Sequence, residues 1–304
     1  MDRRKFICGV ACLLAGCVSK KSALSVGSKN FTEQLVLGEL LAQYLGRYTT
    51  LPVDKRFYLA GTYICHQALL AGRIDMYVEY TGTALVAVLK EPPSSNHEAV
   101  FNSVKNLYAR KFGLQVLPSL GFDNTFAMVM RGADARRMQL KTLSDAASVS
   151  PQLRLGVGYE FMERADGYKG LVSKYGLKFR EAPRVMDLGL LYRALQNNQV
   201  DIVAGSNTDG LIAALDLAVL ADDRRYFPPY DAVPVVRREM LEKHPEVATA
   251  LNRLSGRISA EDMRRMNYAV DGEKQDAAAV VKAFLARNAF SSTNFRQPRP
   301  VTSP

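Results

Sequence analysis

The sequence predicts an α/β protein of two lobes, each a mainly parallel sheet flanked by helices, with the chain crossing twice between them. Three observations carry this expectation. Short apolar segments alternate with amphipathic segments of helical period, the order that a mainly parallel sheet requires. Two strand-like segments, near Phe126 and near Val233, bracket a block of about a hundred residues with its own strand–helix alternation. The chain has 304 residues, 48% hydrophobic and 23% charged, long enough to bury a core in each lobe.

Taken in order, Leu24–Gly27 reads as the first strand. A helix follows with Leu37, Leu40, Leu41, Tyr44 and Leu45 at helical spacing, and Asn30 or Thr32 is a candidate cap ahead of Glu33 and Gln34. Val53–Tyr58 reads as a strand, His66–Ala71 as a helix closed by Gly72, and Ile74–Val78 as a strand. Residues 97–112 form an amphipathic helix ending at Gly113. Phe126–Met130, Leu153–Val157, Val200–Ala204 and Leu217–Leu220 are further short apolar strands. The rigid Phe227-Pro228-Pro229-Tyr230 leads into the strand Ala232–Val236, and helices run from Arg237 to about Asn288. Residues 291–304, with three prolines, read as a disordered tail.

The N-terminus stands apart. Arg3, Arg4 and Lys5 precede the apolar run Phe6 to Ala15, and Leu14-Ala15-Gly16 places two small residues before Cys17. This is the pattern of a signal peptide over 1–16. Its end resembles the lipobox of bacterial lipoproteins, which makes Cys17 the expected lipidation site and 17–23 a lipidated tether. The arginine pair also resembles a twin-arginine export signal, and the route stays open. Of the four cysteines, Cys8 and Cys12 then leave with the signal and only Cys65 remains a thiol, so no internal disulfide is available. Cleavage removes three basic residues and one acidic, taking the formal charge from +10 to +8. A basic chain on a lipid tether suits an anionic membrane surface, and it equally suits a plain solvated surface.

Other chemistries find no support. No block of five like charges and no nucleic-acid-binding motif occurs, so no nucleic-acid partner is expected. His66, His97 and His244 sit in unrelated contexts, without a metal-ligand or nucleophile–base spacing. No catalytic residue, metal or cofactor is therefore expected. Cys65-His66 reads as a buried cysteine beside a helical histidine.

Several stretches together resemble one family, the substrate-binding proteins of osmoprotectant ABC importers. They are Gly27-Ser28-Lys29-Asn30-Phe31-Thr32-Glu33-Gln34, the run from Gly72 to Thr83 ending in Tyr80-Thr81-Gly82-Thr83, and Gly121-Phe122-Asp123-Asn124-Thr125-Phe126-Ala127. Further on come Phe161-Met162-Glu163-Arg164-Ala165-Asp166-Gly167-Tyr168, Thr208-Asp209-Gly210, and Phe227-Pro228-Pro229-Tyr230-Asp231-Ala232. The resemblance implies a type II periplasmic binding fold with a first lobe over 24–123 and 229–290 and a second over 124–228. It also implies a monomer at the extracytoplasmic face, delivering a quaternary-ammonium solute such as glycine betaine or choline to an ABC permease with a cytoplasmic ATPase. Carnitine, ergothioneine and a ligand-sensing role are the alternatives within the same fold.

A betaine presents two unlike ends. Its quaternary ammonium has no N–H, so aromatic faces must hold it by cation–π attraction, while its carboxylate calls for charged and hydroxyl donors. By resemblance, Lys29, Thr83 and Arg164 grip the carboxylate, and Asn124 joins the ligand-binding set. Tyr80 and Tyr230 match two walls of an aromatic box, and Phe126 a third without its hydroxyl. Ser206 stands where the family places a fourth aromatic, and Tyr159, Phe161 or Tyr192 are nearby rings able to substitute. Apart from the resemblance, Lys29 and Arg164 read equally as surface charges, Tyr80 and Tyr230 as core tyrosines, and Thr83 as a helix cap.

Overall fold

The computed structural model of the chain describes residues 23–288. The expected signal peptide, Cys17 with nearly all of its tether, and the tail 291–304 lie outside the described residues. Among those described, no helix is long and apolar enough to cross a membrane.

The described residues form ten strands: β1 (Leu24–Gly27), β2 (Val53–Arg56), β3 (Met76–Tyr80), β4 (Leu114–Val116), β5 (Phe126–Arg131), β6 (Leu155–Val157), β7 (Arg184–Val185), β8 (Ile202–Ser206), β9 (Leu217–Leu220) and β10 (Ala232–Arg237). They form two five-stranded sheets of matching design, ordered β2-β1-β3-β10-β4 and β7-β6-β8-β5-β9. In the first, β10 is antiparallel to both neighbours; in the second, β5 is. The remaining pairs are parallel, so four of five strands in each sheet run one way. The reversed strand in each case is the first one after the chain passes between sheets.

The two crossings are bonded to each other. Asn124 N–H donates to Tyr230 O at 3.1 Å, and Ala232 N–H to Phe122 O at 3.1 Å. Asp123 Oδ2 accepts Tyr230 N–H at 2.7 Å, and His97 Nδ1 lies 2.9 Å from Asp231 Oδ2. One exposed histidine and two carboxylates, with ligand atoms within 4.8 Å of one another, thus brace the crossings. Sequence spacing did not suggest this grouping.

Local chemistry accounts for most elements. Val36, Leu37, Leu40, Leu41, Tyr44 and Leu45 are all buried on the helix Thr32–Tyr48. The helix His97–Phe112 ends where expected, because Gly113 adopts φ +66° and returns its N–H to Tyr108 O. The capping expectation fails, however. Phe31 occupies the cap position in extended conformation without a side-chain cap bond, and Thr32 lies inside the helix with its hydroxyl on Asp271 Oδ1 at 2.6 Å. The strand expected to Tyr58 stops at Arg56, since Tyr58 and Ala60 turn to positive φ. β3 and β8 sit two residues later than expected, which puts Tyr80 and Ser206 on their last positions.

Candidate functional site

A cavity of about 500 Å³ lies between the lobes and is lined by both. All eight residues singled out for ligand binding line it. Lys29 follows β1, Tyr80 ends β3 with Thr83 just beyond, and Ser206 ends β8. Asn124, Phe126 and Tyr230 lie at or beside the crossings, and Arg164 directly follows the helix Tyr159–Glu163. This is the carboxyl-edge location at which open α/β sheets gather ligand-binding groups.

The cations are already engaged. Lys29 Nζ lies 2.5 Å from Glu79 Oε1, both buried, and Glu79 also accepts the Tyr77 hydroxyl at 3.0 Å and the Tyr80 N–H at 2.8 Å. Arg164 holds Asp166 bidentately, at 2.8 Å from Nε and 2.5 Å from Nη2, and donates from Nη1 to Thr83 Oγ1 at 2.9 Å. Each guanidinium NH2 group carries two hydrogens, so Arg164 keeps two N–H donors for a further acceptor. Its Cζ sits 5.0 Å from the Phe126 centroid and 5.6 Å from that of Tyr230; Lys29 Nζ is 5.0 Å from the Tyr80 centroid. Grip and box therefore interleave, with a protein cation on one side of each ring.

Phe126 is the hub of the aromatic cluster. It meets Tyr230 edge-on at 5.4 Å and Phe161 at 5.0 Å, and Phe227 at a tilt at 5.6 Å. Phe161, one of the three rings named as substitutes, backs Phe126 and lines the cavity, as do Tyr159 and Tyr192.

The site's acids escaped the reading of the sequence. Glu33 is buried and accepts from Tyr80 Oη (2.6 Å), Asn124 Nδ2 (2.7 Å), Thr208 Oγ1 (2.5 Å) and Asn267 Nδ2 (3.0 Å). Burial pushes its carboxyl above the ordinary range, against the four hydrogen bonds that favour the charged form. Asp166 takes the Tyr230 hydroxyl at 2.6 Å besides Arg164. Asp209 accepts the Tyr192 hydroxyl and, at 2.8 Å, the Ser206 N–H. Burial first, then repulsion from Glu33 and Asp271, raises Asp209 to about 7 despite those hydrogen bonds. Glu33, Asp166 and Asp209 all stand inside the motifs quoted above, so the signal was present, without a spacing rule to read it by.

Several bonds join the lobes over the cavity. Besides Arg164–Thr83 and Thr208–Glu33, Glu160 Oε1 accepts the Thr62 N–H at 2.7 Å, at the N-terminus of the helix Thr62–Leu70. Neighbouring Gly61 leaves room for this approach, since a Cβ there would lie 2.2 Å from Glu160 Oε1 and displace the carboxylate. Away from the cleft, Cys65 is buried and its thiol pushed up to about 12, chiefly by burial, as befits an inert core cysteine. His66 packs edge-on against Tyr108 and Phe112.

Comparison with known proteins fits this geometry. Residues 22–287 match the family model of the substrate-binding domain of ABC-type glycine betaine transport systems. A carnitine transport binding protein of Listeria monocytogenes is 36% identical over 274 residues, covering 90% of this chain and 89% of that protein. An ergothioneine transport permease/binding protein of Helicobacter pylori is 36% identical over 269 residues, 88% of this chain and 48% of its own length; the chain thus spans about half of that relative. A crystal structure described as a glycine betaine/carnitine/choline ABC transporter superposes with TM-score 0.74 at 35% identity, covering 88% of this chain and 99% of the other. The chain belongs to the family of substrate-binding domains of ABC-type glycine betaine transport systems.

Proposed function

We propose that the protein captures a small quaternary-ammonium solute in the interlobe cleft and presents it to an ABC permease. The observation that carries this reading is the convergence of Tyr80, Phe126 and Tyr230 with Lys29, Thr83 and Arg164 on one cavity. The aromatic faces suit a cation without N–H groups, at about 0.5–2 kcal/mol per ring. The two spare N–H groups of Arg164 and the Thr83 hydroxyl, 2.9 Å from it, suit a carboxylate at the other end of the solute. Asn124 orients Glu33 beside Tyr80.

The same reading assigns 24–123 and 229–290 to one lobe and 124–228 to the other, the hinge being the bonded crossings. It takes the chain as a monomer at the extracytoplasmic face, held by a lipid on Cys17 after removal of 1–16. Detergent phase partition of wild type and Cys17→Ser tests the anchor, which is refuted if the wild type stays in the aqueous phase.

The solute is tested by titration calorimetry against glycine betaine, choline, carnitine and ergothioneine, the last two chosen because relatives are named for them. At least one quaternary amine is expected to bind saturably, and Tyr80→Leu, which keeps apolar bulk and loses the π face, to abolish most of that binding. A folded protein that binds none of the four overturns the reading.

A further inference from the structure

The crossings carry an acid pair that the solute cleft does not use. Asp123 and Asp231 face each other as an isolated antiparallel bridge, one on each crossing. Their neighbours Asn124 and Tyr230 line the cavity, and they do not. Two carboxylates this close repel each other unless a cation or a proton offsets the charge. Among the described residues no lysine or arginine bonds either one. Asp123 Oδ2 accepts only a neutral donor, the Tyr230 N–H at 2.7 Å. The group that does approach is an imidazole: His97 Nδ1 lies 2.9 Å from Asp231 Oδ2, and one atom from each of the three side chains falls within a span of 4.8 Å.

One imidazole nitrogen with two carboxylate oxygens is a donor set that divalent zinc and its first-row neighbours accept. Atoms bound to one such ion at about 2.0–2.2 Å stand about 2.9–3.6 Å apart, so His97 and Asp231 are already spaced as neighbouring ligands. The rest of the span is closed by His97, whose side chain is 61% exposed and free to turn. The acids are fixed beforehand. Asp231 O accepts the Thr81 N–H and Asp231 N–H donates to Thr81 Oγ1, both at 3.0 Å, while Tyr230 holds Asp123. Two anchored acids and one mobile, water-facing histidine leave the outer positions of the ion open to solvent. A hydrogen-bonded histidine–aspartate pair would need only one of the two carboxylates.

We propose that His97, Asp123 and Asp231 form a binding site for a divalent transition-metal ion of the zinc class, which ties the helix His97–Phe112 to both crossings. The site stands apart from the solute cleft and does not depend on which solute the protein carries. It departs from the expectation drawn from the sequence, where His97 showed no metal-ligand spacing because its partners lie far along the chain.

The test strips the full chain of metal with a chelator and titrates it with Zn²⁺ by calorimetry, beside His97→Ala, Asp123→Asn and His244→Ala. Wild type is expected to bind Zn²⁺ saturably and to melt at a higher temperature with it. His97→Ala should lose about tenfold or more in Zn²⁺ affinity, and so should Asp123→Asn, which keeps an oxygen for the Tyr230 N–H and loses the charge. His244→Ala, which removes the histidine 3.4 Å from Glu246, should bind as wild type does. Mg²⁺ should bind far more weakly, since it prefers oxygen ligands alone. Co²⁺ in place of Zn²⁺ should give a visible absorption band without thiolate charge transfer, Cys65 being buried with its thiol pushed up to about 12.

An absence of saturable Zn²⁺ binding to wild type would leave His97 and Asp231 as a plain hydrogen-bonded pair and overturn the site. Equal affinity in wild type and His97→Ala, a loss confined to His244→Ala, or a thiolate band would put the ion elsewhere and overturn it too. Mg²⁺ bound as tightly as Zn²⁺ would overturn the metal class. Should Asp123→Asn fail to melt cooperatively, His97→Ala decides alone, since it removes only an exposed ring.

Discussion

Arg164→Ala separates the two jobs that the structure gives one guanidinium. Arg164 and Asp166 are buried, 5% and 1% exposed, and the pair is bidentate. Removing the cation strands a carboxylate whose remaining partner is the Tyr230 hydroxyl at 2.6 Å. Breaking one side of a buried pair costs about 3–5 kcal/mol of stability, a large part of a typical domain's total. The same change removes donors to the solute's carboxylate, about 1.5–3 kcal/mol, or roughly tenfold to a hundredfold in Kd. Choline has no carboxylate and should lose far less. The companion variant Arg164→Ala with Asp166→Asn discharges the stranded acid, so it should recover much of the stability and none of the betaine affinity. Urea unfolding and calorimetry with glycine betaine and choline read the two effects separately. A stability loss below about 1 kcal/mol would show that the pair is not buried in solution. Equal affinity losses for both ligands would mean that Arg164 acts through its bond to Thr83, closing the lobes, and not on the carboxylate.

Two further variants probe the acids and the closure. With Asp209 raised to about 7, the native state keeps a proton that the unfolded chain, titrating near 4, gives up, so this group lowers stability as pH rises from about 4 to 7. Asp209→Asn should flatten that decline and raise the melting temperature more at pH 8 than at pH 5; parallel pH profiles in the two proteins would refute the assignment. Gly210 abuts the helix Ala260–Asp271, where an added Cβ would lie 2.3 Å from Tyr268 N and 2.5 Å from its Cα. Gly210→Ala should therefore hold the lobes apart and weaken all ligands alike, with small-angle scattering showing a larger radius of gyration; an unchanged radius with normal binding would count against closure at this contact.

How far the sequence could be read depended on range. Alternation placed most of the strands, and Gly72 and Gly113 closed their helices, because those signals act within a few residues. β7 was missed because it is two exposed residues with no apolar run, and β4 because Leu114–Val116 follows directly on the helix closed by Gly113. The cap on the first long helix was misplaced because Thr32 spends its hydroxyl on Asp271, far along the chain. The site was legible through motifs, which sit where strands end at the cleft. What motifs could not convey was pairing: Lys29 on Glu79, Thr208 and Asn267 on Glu33, Arg164 on Thr83 each link residues that only the folded chain brings together.

Those pairings also reverse the sign that composition suggests. The whole chain carries a formal +10, which by itself disfavours a cationic solute. The cavity lining contains Lys29, Arg164 and Lys274 against Glu33, Glu160, Asp187, Asp209 and Asp271, with Glu79 and Asp166 bonded directly behind the first two cations. Outer charges are screened within about 8–10 Å at physiological salt, whereas groups in a partly desolvated cleft are not. A solute therefore feels the basic surface only weakly on approach and the acidic cleft strongly once inside. The carboxylates behind the aromatic walls are fixed by the cleft's own side chains, Glu33 by Tyr80 and Asn124, Asp166 by Arg164 and Tyr230, and Asp209 by Tyr192.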